Sequence, residues 1–90
     1  MTDRLPCLVP HCRRTCRQEP DPVDIEGQTF NLMDEWICAR HWPLVPAATR
    51  RLYSAAKRRL RKFRTKKCAA VASRLWRRCK REAIERAAGI

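Results

Sequence analysis

Trp36-Ile37-Cys38-Ala39-Arg40-His41-Trp42 sets two metal-competent side chains, Cys38 and His41, three positions apart between two tryptophans. One tight turn over that spacing aims a thiolate and an imidazole at a single cation. Upstream, Cys7, Cys12 and Cys16 offer further ligands. Downstream of Pro43 and Pro46 no proline follows, and arginine and lysine dominate. The pattern predicts a metal-pinned N-terminal knot that launches a basic helical arm, with residues 36–42 as the hinge between them.

Segment 5–17 holds Cys7, His11, Cys12 and Cys16, and its Pro6 and Pro10 predict a turn rather than a helix. The intervals Cys7-x4-Cys12 and Cys12-x3-Cys16 both fall within the range of paired zinc ligands. Spacing alone therefore leaves Cys16 as an alternative to Cys7 or Cys12. His11 is the poorer candidate, because its neighbour Cys12 would have to reach the same ion. The preferred set is Cys7, Cys12, Cys38 and His41, two pairs joined by a 25-residue excursion. Thiolate and imidazole favour zinc, and four protein ligands close a tetrahedral site that is structural rather than catalytic. Six cysteines also admit disulfides. However, Met1-Thr2-Asp3-Arg4-Leu5-Pro6 lacks the apolar run of an export signal, so reduced thiols in a cytoplasmic setting are expected. No window approaches the length of a membrane span.

Three stretches, Cys7-Leu8-Val9-Pro10-His11-Cys12-Arg13-Arg14-Thr15, Glu35-Trp36-Ile37-Cys38-Ala39-Arg40-His41-Trp42 and Leu75-Trp76-Arg77-Arg78-Cys79-Lys80, resemble small zinc-finger-like proteins of alphaproteobacterial phages and prophages. That group has no established function. The resemblance implies metal binding and a phage origin, with Cys7, Cys12, Cys38 and His41 as the matching ligand positions and Cys16 as an extra.

Residues 18–28 are acidic and broken by Pro20, Pro22 and Gly27. They read as a solvated connector, or alternatively as an acidic flap lying against the basic arm. Residues 29–37 predict a short strand, or a ragged hairpin, running into Cys38, with Phe30, Trp36 and Trp42 as a small core. From Ala47 to Ala88 there is no glycine or proline, and Pro46 suits a first helical turn. At 100° per residue, Leu52, Ala56, Leu60 and Phe63 form one apolar stripe. Cys68, Val71, Ala72, Leu75, Cys79 and Ala83 form another, displaced by about a third of a turn. Two helices follow, about 47–64 and 68–88, with a bend or tight hairpin at 64–67 and Gly89 as a stop. The expected fold is small α+β, mostly α. A zinc knuckle with a short strand or hairpin (1–45) precedes two basic helices (46–90), the whole forming one compact unit.

Charge divides the chain at the same place. Residues 1–45 carry five arginines and seven acids, whereas residues 46–90 carry sixteen cations against Glu82 and Glu85. Eight cations fall within the eleven residues 57–67. Such a half implies a polyanionic partner. The candidate phosphate-binding residues are Arg50, Arg51, Lys57, Arg58, Arg61, Lys62, Arg64, Lys66, Lys67, Arg77, Arg78, Lys80 and Arg81. A hairpin of the two helices would set the 57–67 and 77–81 strips along one groove. No glycine-rich turn surrounds a cysteine, and nothing suggests an oxyanion-binding turn, so a non-enzymatic protein is expected. The leading reading is a zinc-finger-like nucleic-acid-binding protein, with DNA favoured over RNA. The alternative is a zinc-stabilised module docking on an acidic surface of a host or virion protein. Under the first reading, chelation unfolds the N-terminal half and leaves the isolated arm little changed.

Overall fold

In a computed structural model, residues 4–32 and 34–89 are described; residues 1–3, Met33 and Ile90, which the expected knuckle, strand and arm spans include, lie outside the described residues. Among the described residues, two small antiparallel hairpins precede two helices. Strands β1 (Arg4–Pro6) and β2 (Thr15–Arg17) pair with Leu5 opposite Cys16. Strands β3 (Pro22–Ile25) and β4 (Gln28–Asn31) pair with Val23 opposite Phe30. A 3-10 turn at Trp42–Leu44 leads into α1 (Ala47–Phe63) and α2 (Lys66–Ala87).

Both expected helices form, and of the bend or tight hairpin expected between them the tight hairpin is present, confined to Arg64 and Thr65. Arg64 closes α1 in the left-handed region, φ 54°, with its N–H donating to the Leu60 carbonyl. Thr65 then caps α2, its hydroxyl accepting from the Cys68 amide at 3.1 Å. A side-chain cap of this kind is worth about 0.5–2 kcal/mol, which lets the chain turn without glycine or proline. Thr49 meets Glu82, Tyr53 meets Trp76, and Leu60 shares a cluster with Ala72. Those pairings run in opposite directions along the two helices, so the pair is an antiparallel hairpin.

Several expectations need correction. Leu52 and Phe63, placed in the α1 stripe, are 52% and 53% exposed. The buried positions are Thr49, Ala56 and Leu60, because small side chains let α1 approach α2 closely and turn its larger apolar groups outward. Phe30, expected in the core, is exposed on β4. Residues 18–28 are not a mere connector: Val23 and Ile25 are buried against Ala56, Leu60 and Ala72. Strand-like order after Phe30 ends at Asn31 and does not run into Cys38; Trp36 instead makes a single parallel bridge with Cys7.

The helices are not a free-standing arm. Cys79 and Ala83 of α2 are fully buried in one cluster with Cys7, Val9, Ile37, Cys38 and Val45 of the N-terminal half. Trp42, Tyr53 and Trp76 form a ring cluster with centroids 5.3–6.3 Å apart, joining the 3-10 turn to both helices. Glu35 accepts from the Trp76 indole N–H at 2.9 Å and from Lys80 at 3.1 Å. Burial would raise the Glu35 carboxyl, but the Trp76 and Lys80 contacts outweigh it and hold it below the ordinary carboxylate value.

Ala83→Leu forces extra volume beneath the knuckle and is expected to destabilise the protein by about 1–3 kcal/mol in urea melts. Leu52→Ser, on the open side of α1, should change stability by no more than about 0.5 kcal/mol.

Candidate metal centre

Hairpin β1–β2 carries a turn at its closed end, and this turn positions the first ligand pair. Cys7 donates its amide to the Arg14 carbonyl, and the Cys12 amide donates to Val9. His11 takes φ 68°, which folds Cys12 back towards Cys7 while its own side chain stays exposed. The second pair comes from the 36–42 stretch. The Leu8 amide donates to the Trp36 carbonyl and lays the two segments side by side. Beyond it the His41 and Trp42 amides both donate to the Cys38 carbonyl, closing the tight turn that the Cys-x2-His spacing requires.

The outcome is a cluster of Cys7, Cys12, Cys38 and His41 whose ligand atoms all lie within 4.8 Å of one another. Cys12 Sγ is 3.9 Å from Cys38 Sγ, Cys7 Sγ is 3.7 Å from His41 Nδ1, and Cys38 Sγ is 3.2 Å from the same nitrogen. A tetrahedral zinc with ordinary bond lengths puts two sulfurs about 3.8 Å apart and a sulfur and nitrogen about 3.6 Å apart. The donor set and its spacing therefore fit one closed tetrahedral ion and are compatible with structural zinc. A disulfide would need about 2 Å between sulfurs, and all six cysteines are free thiols.

Electrostatics act in opposite directions on the two buried thiols. The Cys38 amide donates to Cys7 Sγ at 3.3 Å, a contact that suits a thiolate acceptor. Burial would raise the Cys38 thiol, but the His41 and Arg40 backbone amides, with Cys7 and His41, lower it to about 6. Burial raises the Cys7 thiol. Cys16 lies on β2 opposite Leu5 and is outside the four-residue group, so geometry decides the choice that spacing left open. Cys79, raised by burial to about 11, is an inert core thiol.

The sequence-predicted cations divide into two groups. Arg50 donates to the Val45 carbonyl, and Lys57 lies over the Tyr53 ring. Arg61 pairs with Asp21, Arg78 with Glu82 and Lys80 with Glu35. Asp21 is held below its usual range chiefly by the Arg61 hydrogen bonds, so the acidic 18–28 segment does lie against the basic helices. Arg51, Arg58, Lys62, Arg64, Lys66, Lys67, Arg77 and Arg81 are exposed, and none of them is ion-paired among the described residues. Arg59, counted in the 57–67 run but not among the candidates, is exposed as well; Arg74, also exposed, escaped the sequence reading, and the i, i+3, i+4, i+7 spacing of Arg74, Arg77, Arg78 and Arg81 was the available signal. The single groove expected for both strips does not form. Arg58 and Lys62 sit about half a turn from buried Leu60, and Arg77 and Arg81 about half a turn from buried Cys79. The strips thus occupy opposite edges of the antiparallel pair.

No helix among the described residues is long and apolar enough to cross a membrane. No protein-family model, curated protein or solved structure matches the chain.

Purified protein is expected to bind one zinc per chain by elemental analysis, unchanged in Cys16→Ser. Cys38→Ser and His41→Ala should each weaken zinc binding more than about tenfold in chelator competition, since even loss of a residue that only supports a ligand costs that much.

Proposed function

We propose that this chain is a non-catalytic, zinc-stabilised nucleic-acid-binding protein that grips phosphates at the turn between its helices. One observation carries the reading. Arg58, Lys62, Arg64, Lys66 and Lys67 surround that turn, all exposed, and the one ion pair there among the described residues is Arg61–Asp21. Cations that only solubilise a helix normally alternate with acids. Here the first turn of α2 has no acid and two lysines, although a helix start is disfavoured next to positive charge. That arrangement gains stability when a polyanion arrives.

The zinc cluster supplies no reaction in this account. With four protein ligands the ion has no open position for substrate, and its role is to hold the knuckle on which α2 is seated. The turn lacks Asn and Gln among residues 57–67, so it supports phosphate contact and not adenine readout. Duplex DNA is the preferred partner, and the resemblance to phage zinc-finger-like proteins supports a phage-encoded regulator acting in the host cytoplasm.

Fluorescence anisotropy with a duplex of about 30 base pairs tests this. Neutralising about six phosphates predicts a log–log salt slope near −5. Replacing Lys62, Lys66 and Lys67 together by glutamine should reduce that slope by about 3 with no loss of bound zinc. Absence of binding to duplex or single strands at about 100 mM salt, with zinc present, would sink the proposal.

A further inference from the structure

One side of the helix pair is bare. Tyr53 and Lys57 of α1, with Ala69, Ser73 and Trp76 of α2, line a groove against Phe30, Leu32 and the 34–37 segment. The flanks that carry them are therefore the covered side. Leu52 and Phe63 lie on the other flank of α1; eleven positions apart, they align within about 20° on a helix. Val71 and Leu75 lie on the matching flank of α2, where they line a second groove with Arg74, Arg77, Arg78 and Arg81.

The thickness of the molecule excludes a hidden cover within the described residues. The Cα atoms span 40 × 36 × 14 Å. One helix layer and one covering layer, about 8–10 Å apart between centres, already fill that smallest extent. Among the described residues, two of the three exposed large apolar side chains, Leu52 and Phe63, are on this bare flank. Arg74, Arg77 and Arg81, which line the groove with Val71 and Leu75 on α2, have no carboxylate partner among the described residues.

We propose that this face docks an acidic amphipathic helix of a partner protein. Its apolar ridge would lie along Leu52, Phe63, Val71 and Leu75, and its carboxylates would meet Arg74, Arg77 and Arg81. A helix laid in a shallow groove is read through apolar anchors at i, i+3, i+4 and i+7, and the arginine border selects the sign of its polar face. Phosphate backbone would satisfy the arginines and leave Leu52 and Phe63 unused. A second copy would set arginine against arginine in a chain of net charge +12.

The test uses the full-length, zinc-loaded protein and a fluorescein-labelled helical peptide of about 18 residues, with leucines on one face and glutamates on the other. The peptide should bind saturably at about 150 mM salt. Binding should weaken about tenfold in the double variant Leu52→Ser, Phe63→Ser, and likewise in Arg74→Gln, Arg81→Gln. The serine variant should keep its zinc and its affinity for duplex DNA. Four results would overturn the proposal: no binding of the peptide, equal binding of a scrambled peptide of the same composition, loss of duplex binding in the serine variant, or self-association by sedimentation that the serine variant abolishes. They would respectively leave no docking face, charge alone, nucleic acid or a second copy.

Discussion

Two remote pairs of metal-competent side chains, Cys7 with Cys12 and Cys38 with His41, are drawn to one point, and the rest of the molecule depends on that convergence. Its importance follows from the core the chain otherwise has. Among the described residues, the largest side chains that are fully buried are Val45, Thr49, Cys38 and Cys79. None is aromatic, and burial of an aliphatic side chain contributes only about 1.5–3 kcal/mol. The N-terminal half, residues 1–45, is of a size that rarely reaches adequate stability on apolar burial alone. Two of the ligands, Cys7 and Cys38, are also members of the main apolar cluster. The candidate ion site and the core are thus one structure.

The constraint spreads from the ligands by short steps. Trp42, next to His41, packs on Tyr53 and Trp76. Glu35, three residues before Cys38, ties Trp76 and Lys80 of α2. Val45 lies with Cys79 and Ala83 under the knuckle. The helices are therefore held by the knuckle and not merely attached to it. The hinge expected at residues 36–42 is a seat for α2, with the metal cluster behind it.

Legibility in the sequence followed the strength of each local signal. The clustering of Cys7, Cys12, Cys38 and His41 was readable because thiolate and imidazole at fixed intervals have few other uses, and α2 was readable because its stripe from Cys68 to Ala83 is continuous. The stripe on α1 was half right: Ala56 and Leu60 are buried, whereas Leu52 and Phe63 scored by hydrophobicity and lie exposed, and close helix packing selected Thr49 in their place. Hairpin β3–β4 was hidden by its acids and prolines: only Val23 and Ile25 point inward, and two alternating residues are too few to announce a strand. The cations were visible as a composition, but which of them an internal carboxylate neutralises depends on tertiary placement. Nothing local marks Asp21 as the partner of Arg61, forty residues away.

If the metal cluster and the helix seat are one cooperative structure, removing the ion must be felt at α2. Amide hydrogen exchange, with and without chelator, measures this most directly. Exchange at residues 76–83 should accelerate together with that at 37–42 when zinc is withdrawn, as expected of a shared opening unit. Unchanged protection across α2, with exchange rising in the knuckle alone, would contradict the account and restore the picture of a knot beside an independent arm.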